Sequence, residues 1–387
     1  MQFPTSNFQL PNSKLRIGFD AKRAFNNGTG LGNYSRFVIS ALAKSFPENE
    51  YFLFTPTIKP EFENFISASS NIKIISPESI LGKTFPALWR SYAIAEMCNE
   101  LHLDIFFGLS NELPVGIEKF KGKKIVSIHD LIFLRYPDYY NNIDRYIYSK
   151  KFNYACEKAD LIIAASLQTK NDIIQFFKTD ESKIEVIYQN CDENFSVVAD
   201  EFLKSEISKK YTLPERFILC VGTIEKRKDQ LTVLKAFHRL NTKNLKLVFI
   251  GRQTEYVKQL QEFLDKNNLN ERVIFLSQIE QNDLPVIFQL SNIFVYASEF
   301  EGFGIPILEG LRSAVPVIAA NTSSLTEVGG DAALYFNFGD IVDLCERMRE
   351  AITDDEKRIA AIEKGLLQAM KFDKDKFVSQ MEKLFIL

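Results

Sequence analysis

The chain is poor in the residues on which several classes of function depend. Its three histidines lie in three different segments, which excludes a histidine-rich zinc site. Its five cysteines are odd in number and scattered, which is typical of buried free thiols in a reducing compartment. The net charge of only −3 at pH 7 gives no whole-chain electrostatic basis for binding nucleic acid, and we expect no such partner.

Long apolar runs are absent as well. The longest, such as Phe217–Val221 and Val315–Ala320, are of strand length, whereas a membrane-spanning helix needs about 20 apolar residues. The stretch from Met1 to Lys14 is polar and offers no segment that could act as a secretory signal. We therefore expect a cytoplasmic protein whose only contact with a membrane would be peripheral, at the inner face of the plasma membrane.

Short apolar runs alternate with amphipathic stretches along the whole chain, and this pattern predicts an α/β fold. There are too many such runs for one ordinary parallel sheet, so we predict two doubly wound, Rossmann-like domains. The polar stretch Asn190–Glu215 is the natural linker between them. The predicted domains are residues 1–195 and residues 196–370, and a terminal helix within residues 371–387 is expected to pack back on the first domain.

The first loop that follows a predicted strand is rich in glycine and opens a predicted helix. Gly28, Gly30 and Gly32 would let the backbone approach an anion at the helix N-terminus. The dinucleotide-binding fingerprint fails here, because its last glycine would fall on Asn33. A flexible surface turn is the alternative interpretation of this loop.

In the second half a strand runs into Gly222 and Thr223, and three cations, Lys226, Arg227 and Lys228, stand just before a predicted helix. Such a run is usually a solvated face. Here, however, Arg227 and Lys228 lie where a helix N-terminus favours an anion, and the planar guanidinium of arginine suits phosphate. We predict that these exposed loop cations bind phosphate.

A third loop carries two carboxylates around the start of a helix. Gly302 and Gly304 free the backbone ahead of Pro306, which suits the first helical position. Glu301 lies in the loop and Glu309 in the helix, where they could serve simply as favourable partners of the helix dipole. Carboxylates beside exposed N–H groups also suit hydroxyls that flank a phosphate, which is the pattern of a sugar nucleotide.

These loops together resemble the retaining glycosyltransferases of family 4. The segments that carry the resemblance are Val221–Phe237, Ala297–Glu309, Asn321–Ala333, Ser127–Leu131 and the glycine-rich first loop. The pair Glu301 and Glu309, with seven residues between them, is the hallmark of that family. The resemblance covers nearly the whole chain and implies the GT-B fold, in which two Rossmann-like domains face each other across a cleft. The N-terminal domain would then serve the acceptor, and the C-terminal domain would bind the nucleotide sugar.

The resemblance also implies a role for each of these residues. Arg227 and Lys228 would hold the donor diphosphate. Glu301 would contact the hydroxyls of the transferred sugar, and Glu309 would bind the ribose. His129 would point into the cleft beside the reacting sugar, although a satisfied core histidine is its ordinary alternative. The implied catalytic residues are His129, Glu301, Arg227 and Lys228, and the implied donor-binding residues are Gly30, Gly222, Thr223, Arg227, Lys228, Glu301, Gly302, Phe303, Gly304 and Glu309.

Two departures from the family pattern concern turns. Thr326 stands where many relatives have proline, and Tyr188–Asp192 replaces the common Asn-Gly-Val-Asp after its strand. The hinge at that second place is therefore expected to differ in shape.

The resemblance implies transfer with retention of the anomeric configuration and without a protein nucleophile, a metal or a cofactor. The expected partners are a nucleoside-diphosphate sugar, with GDP-mannose favoured, and a glycan or lipid-linked saccharide acceptor. Such enzymes assemble bacterial polysaccharides, including lipopolysaccharide. A non-hydrolysing sugar-nucleotide epimerase and a non-catalytic sugar-nucleotide-binding protein are the alternatives.

The stretch Phe133–Tyr154 combines six tyrosines with cations. Aromatic and basic side chains together suit a sugar-stacking acceptor site or an anionic membrane surface. A partly buried helix with aromatic core residues is the alternative, and the sequence leaves this choice open.

Overall fold

The computed structural model describes residues 14–66 and 70–386. The expectation for Met1 to Lys14 therefore concerns residues that, apart from Lys14, lie outside the description. Within these ranges the chain forms two compact units: the described residues up to Gln189 together with those from Lys374 onward, and Asn190–Asp373. In the residues described, no helix combines the length and the apolar composition that crossing a membrane requires.

The first unit is built on a seven-stranded parallel sheet in the order β3-β2-β1-β4-β5-β6-β7. Its strands are β1 (Arg16–Asp20), β2 (Glu50–Phe54), β3 (Ile72–Ile75), β4 (Ile105–Gly108), β5 (Lys123–Ile128), β6 (Leu161–Ala164) and β7 (Ile184–Val186). Its helices up to this point are α1 (Lys22–Asn26), α2 (Gly30–Ser45), α3 (Ile80–Thr84), α4 (Pro86–Tyr92), α5 (Ile94–Glu100), α6 (Ile132–Arg135), α7 (Asn142–Lys158) and α8 (Leu167–Phe177). The interior strands β4 and β6 are buried at every position, because helices cover both faces of a parallel sheet.

The second unit contains a six-stranded sheet, again parallel, in the order β10-β9-β8-β11-β12-β13. Its strands are β8 (Phe217–Val221), β9 (Lys246–Ile250), β10 (Val273–Leu276), β11 (Ile293–Tyr296), β12 (Val317–Ala320) and β13 (Leu334–Phe336). Its helices are α9 (Glu201–Lys210), α10 (Gln230–Leu240), α11 (Val257–Asn267), α12 (Leu284–Leu290), α13 (Ile305–Arg312), α14 (Leu325–Gly329), α15 (Ile341–Thr353) and α16 (Asp355–Ala369). In both sheets the order reverses beside the first strand, as in doubly wound folds, and the predicted fold class is confirmed.

The last helix, α17 (Lys374–Ile386), belongs to the first unit. Phe377, Met381 and Phe385 are buried in the same cluster as β1 and α2. The ring of Phe377 lies 5.0 Å from that of Phe37, and the Nζ atom of Lys123 donates a hydrogen bond to the carbonyl of Leu384. An apolar face on this helix therefore completes a core that the preceding chain has already built.

The polar stretch Asn190–Glu215 is more than a linker, which corrects the prediction. It holds helix α9 and packs on the second unit, where the ring of Phe195 meets that of Phe288 at 5.5 Å. Ser313 also donates a hydrogen bond to the carbonyl of Phe195. These contacts explain why the compact units divide at Gln189, a few residues before the predicted domain boundary at 195.

Candidate functional site

The predicted phosphate-binding and sugar-binding loops lie together at one edge of the second sheet. One follows β8 and the other follows β11, and these two strands are neighbours. The backbone N–H of Glu299 donates to the carbonyl of Arg227 at 2.8 Å. The hydroxyl of Thr322, which follows β12, donates to the carbonyl of Ser298 at 2.9 Å. Three loops are thus joined by hydrogen bonds at the carboxyl ends of parallel strands, where ligands of such sheets bind.

The cation run forms a single 3-10 turn, Lys226–Lys228, before α10. Asp229 follows in the left-handed conformation and caps α10 by accepting a hydrogen bond from the N–H of Thr232. The expectation of exposed cations is wrong for two of the three. The side chains of Arg227 and Lys228 are only 17% and 12% exposed, because they turn toward the loop after β11, whereas Lys226 is exposed.

Glu301 is the point on which this cluster converges. Its Oε1 atom accepts hydrogen bonds from Nη1 of Arg227 at 2.8 Å, from the hydroxyl of Ser298 at 2.6 Å and from that of Tyr296 at 2.9 Å. The ammonium of Lys228 donates to the same oxygen. Among the described residues, none donates a hydrogen bond to Oε2, so this oxygen is the one available to a ligand.

Electrostatic interactions favour the ionised forms of Glu301 and Arg227. Burial alone would raise the pKa of Glu301, but Lys228 and Arg227 lower it to about 2. Burial also opposes the charge on Arg227, yet Glu301 and Glu225 raise the pKa of the guanidinium. For Lys228, burial is the largest effect and lowers the pKa despite the attraction of Glu301. The carboxylate therefore holds two cations in a place from which water is largely removed.

The backbone around the cluster depends on two glycines. Gly222 has a φ of 139° and Gly304 a φ of 105°, conformations that side chains with a Cβ rarely adopt. A Cβ atom on Gly304 would also lie 2.8 Å from the side chain of Leu325. The fold of these loops thus requires both predicted glycines. This requirement accounts for glycine at the two positions independently of any role in binding.

The remaining donor-site candidates lie in the same two loops. The carbonyl of Thr223 accepts a hydrogen bond from the amide of Gln230. Gly302 is buried, and so is Phe303, whose ring packs on that of Phe372 at 5.6 Å, so only the backbone of this segment could serve a ligand.

Glu309 lies one turn into α13 and is partly buried. Burial, with a further contribution from Asp192, raises its pKa to about 8. The pKa of Tyr296 lies well above its ordinary value, first because of burial and then because of Glu301, and Glu309 raises it by a smaller amount. Glu309 is therefore near the cluster, but no hydrogen bond among the described residues joins its carboxyl group to Arg227 or Lys228.

His129 follows β5 in the first unit and is buried. Its Nε2 atom donates to the carbonyl of Leu109 at 2.9 Å, and its Nδ1 atom accepts from the amide of Gln189 at 2.8 Å, because a carbonyl can only accept. Burial lowers its pKa to about 4, so the ring is neutral. These are the contacts of a satisfied core histidine, and the catalytic role of His129 stays a prediction.

The glycine-rich first loop forms the start of α2, and two of its glycines differ in what they require. A Cβ atom on Gly30 would meet no atom within 4 Å, so the fold of this unit leaves that position unconstrained. A Cβ atom on Gly32 would lie 1.7 Å from the carbonyl oxygen of Asn27, which allows only glycine. The predicted role of Gly30 in approaching the donor remains a prediction.

Several polar residues of the cluster were missed by the sequence analysis. Tyr296 ends β11 and Ser298 follows it, so their place at the carboxyl end of a strand was the available signal. Ser323 accepts a hydrogen bond from the N–H of Glu301, and Ser324 donates to the carbonyls of Glu301 and Phe303. Together they hold the loop that presents Glu301.

The stretch Phe133–Tyr154 is partly core and partly surface. Phe133 is buried, and its ring makes edge contacts with Tyr140, Tyr148 and Phe152 at 5.1–6.4 Å. Tyr146, in contrast, is largely exposed on α7. The aromatic residues of this segment therefore divide between a face of α7, with the residues before it, that packs in the core and a face of α7 that is exposed to solvent.

Across residues 14–66 and 70–386, no group of three or more His, Cys, Asp or Glu side chains is arranged to hold a metal ion. The polar chemistry of the site described above is that of fixed cations, carboxylates and backbone groups.

The chain was compared with family models, with curated proteins and with solved structures. Models of the families described as Glycosyltransferase Family 4 and Glycosyl transferases group 1 match residues 30–194 and residues 204–368. The chain is 26% identical over 368 residues to the O-antigen chain mannosyltransferase B of Escherichia coli, covering 91% of this chain and 94% of that protein. It is 27% identical over 297 residues to the serotype-specific mannosyltransferase WbdA of Escherichia coli, with 73% of this chain matched, and it spans only 36% of that longer protein. The structure of Anabaena HepE in complex with UDP-glucose shares the fold, with a TM-score of 0.74 at 17% identity over 96% of this chain and 100% of that one.

Proposed function

This chain belongs to the glycosyltransferases of family 4 and group 1 with the GT-B fold. From that premise we propose that it transfers mannose from GDP-mannose to a saccharide acceptor during O-antigen assembly. The observation that carries the proposal is the buried pair Arg227 and Lys228 gathered on one oxygen of Glu301. The choice of mannose is supported by the names of the bacterial relatives, which are O-antigen mannosyltransferases.

The cluster has the chemistry that breaking a glycosyl phosphate bond requires. Negative charge develops on the departing diphosphate, and Arg227 and Lys228 are fixed cations that would stabilise it. Glu301 would accept hydrogen bonds from the hydroxyls of the sugar through its Oε2 atom. Glu309 would accept them from the ribose. These contacts would fix the sugar and the nucleotide on either side of the bond that breaks.

We propose further that transfer retains the anomeric configuration and proceeds without a metal. Glu301 is held by four donors on one oxygen, which orients it for hydrogen bonding rather than for attack on carbon. The acceptor hydroxyl would then attack on the face from which the diphosphate leaves. Two fixed cations supply at the diphosphate the positive charge that a divalent ion supplies in other transferases.

A panel of sugar nucleotides tests the donor. GDP-mannose should raise the melting temperature more than UDP-glucose, UDP-N-acetylglucosamine or GDP alone, because a ligand that binds only the folded state stabilises it. A larger shift with a UDP sugar would contradict the choice of GDP-mannose. Incubation with the preferred donor should release nucleoside diphosphate only when a saccharide acceptor is present, and the anomeric configuration of the product is read by NMR. Isomerised donor without transfer would instead indicate an epimerase, and binding without either reaction would indicate a binding protein.

The acceptor is proposed to be lipid-linked and to be reached at an anionic membrane surface. Helices α3 and α4 support this, because they expose large apolar side chains with no acidic residue from Ser79 to Ala95. The exposed residues are Ile80, Leu81, Phe85, Leu88 and Tyr92, with exposed fractions between 52% and 84%. Lys83 adds an exposed cation in the same segment, and apolar groups beside cations are what an anionic membrane surface binds.

The basic residues of α7 lie next to this surface. Arg90 of α4 and Lys151 of α7 both contact Glu112, at 2.7 Å and 3.4 Å. Lys150 and Lys151 are therefore candidates for contact with lipid phosphates. Arg135 is not, because it pairs with the buried carboxylate of Asp172.

Flotation with phosphatidylglycerol-containing vesicles tests this surface. The double variant L81S/L88S and the double variant K150S/K151S should each bind vesicles less than the wild type while keeping the melting-temperature shift with donor. V198S/F202S is a matched control, because Val198 and Phe202 are apolar residues of the second unit that are more exposed than Leu81 and Leu88. Equal losses in the control and in the L81S/L88S variant would contradict the proposed membrane surface.

A further inference from the structure

The two cations of the candidate donor site are already neutralised by carboxylates of the same unit. Nη1 of Arg227 lies 2.8 Å from Oε1 of Glu301, and Nη2 lies 2.7 Å from Oε1 of Glu225. The ammonium of Lys228 also contacts Oε1 of Glu301. Two positive and two negative groups therefore balance, and these four groups together carry no net charge to attract an anion.

Burial makes this neutralisation strong. The side chains of Arg227, Lys228 and Glu301 are 12–17% exposed, so water screens their attraction only weakly. A diphosphate that reaches Arg227 and Lys228 must therefore compete with Glu301 for the same N–H donors. An arginine has five such donors and a lysine three. The diphosphate and Glu301 therefore exchange hydrogen bonds to these donors within a fixed site.

A donor and its product differ in what they offer Glu301. A sugar nucleotide brings hydroxyls that can donate to the Oε2 atom, which compensates for the loss of hydrogen bonds at Oε1. The nucleoside diphosphate that remains after transfer has no sugar hydroxyls at this place and carries more negative charge. Glu301 then faces a second anion beside the same two cations, with no compensating contact.

We propose that Glu301 is a competing counter-ion of Arg227 and Lys228, which weakens their hold on the nucleoside-diphosphate product and so favours its release. The inference rests on the proposed function, because such a product forms only if the chain uses a nucleoside-diphosphate sugar. It assigns Glu301 a second task beside its contact with the sugar. The same carboxylate discriminates between the donor, which satisfies its free oxygen, and the product, which does not.

Titration calorimetry with inorganic pyrophosphate and with GDP tests the inference. Glu301→Gln should bind pyrophosphate more tightly than the wild type, on the order of tenfold, because it removes a buried competing charge. Glu225→Gln should tighten binding less, because the side chain of Glu225 is more exposed and, among the described residues, its carboxylate forms an ion pair with Arg227 and not with Lys228. Glu346→Gln removes the same charge from an exposed position of the same unit and should leave the affinity unchanged. Burial lowers the pKa of Lys228, so the titrations are run at pH 6.5 as well as 7.5 to keep its ammonium charged in the variant.

The outcomes separate this inference from the proposed function. Tighter pyrophosphate binding by Glu301→Gln supports the inference, since a variant that merely disturbs the site would bind more weakly. Equal or weaker binding by this variant, with normal binding of GDP and sugar nucleotide by the wild type, overturns the inference and leaves the proposed function standing. If neither protein binds pyrophosphate, GDP or a sugar nucleotide, both fail. If Glu301→Gln is unstable, Glu225→Gln gives an independent test. Pyrophosphate affinity in Glu225→Gln that does not exceed that of the wild type would then contradict the inference.

Discussion

The hydroxyl of Tyr296 donates a hydrogen bond to Oε1 of Glu301 at 2.9 Å. The ammonium of Lys228 lies 4.8 Å from the centre of the tyrosine ring and donates a hydrogen bond to the same hydroxyl. The tyrosine thereby links the cation and the carboxylate by a second route beside their direct contact. Its position at the end of β11 makes it rigid, because the strand is buried at every position. A rigid support of this kind orients both charged groups before a ligand arrives.

Tyr296→Phe should lower turnover several-fold and the free energy of unfolding by about 1 kcal/mol, since Glu301 loses one of its four donors. Steady-state kinetics and urea unfolding check the two effects. Tyr335→Phe serves as the control, because it removes a hydroxyl elsewhere in the same unit. Unchanged turnover in Tyr296→Phe would contradict the supporting role.

Arg227→Ala and Lys228→Ala should each lower turnover about a hundredfold, because each removes charge that stabilises the leaving diphosphate. Both variants should also lose about 1–3 kcal/mol of unfolding free energy, since the buried Glu301 loses a charged partner. Lys226→Ala is the matched control in the same turn, where the side chain is exposed, and should change neither quantity. Near wild-type turnover in both buried-cation variants would contradict the phosphate assignment.

Glu309→Gln should raise KM for the donor with little change in kcat, because ribose contacts are equal in the ground and transition states. Glu301→Gln should instead lower kcat, because its contacts with the reacting sugar strengthen as the bond breaks. Initial rates over a range of donor concentrations, at saturating acceptor, separate the two effects. Identical changes in both variants would argue against this division of roles.

The strands were accessible from the sequence, and the arrangement of the site was only partly so. Parallel strands buried on both faces, such as β4 and β11, give continuous apolar runs whose ends can be located closely. Helix α9 was missed because Ile207 is its only fully buried residue, so its apolar pattern is weak. The loops carrying Arg227 and Glu301 were found. The ion pair between these two residues joins the loops that follow β8 and β11, and no local sequence pattern contains such a tertiary contact.

The ring of His129 should remain neutral, with the proton on Nε2, throughout pH 5–8 in the protein without ligand, because burial lowers its pKa to about 4. Nitrogen-15 NMR of histidine-labelled protein reads both the tautomer and the charge. His102, for which the structure gives a surface position, provides the internal comparison in the same spectrum. Titration of His129 near pH 6.5 would show that its ring reaches solvent and would favour the catalytic interpretation over the core one.

Glu309 should make the stability of the protein without ligand fall as the pH rises from about 5 to about 8.5. Burial raises its pKa from 4.5 to about 8, so in this window the folded state binds the proton more tightly than the unfolded state. The stabilising contribution is therefore complete below pH 4.5 and is lost as the pH rises through 8. The side chain at position 309 cannot titrate in Glu309→Gln, whereas all other groups titrate alike in both proteins. The melting temperature of the wild type minus that of the variant should therefore decrease steadily across this range. Scanning calorimetry at half-unit steps measures the difference, and parallel pH curves would show that the carboxyl group is ionised and solvated in the folded state.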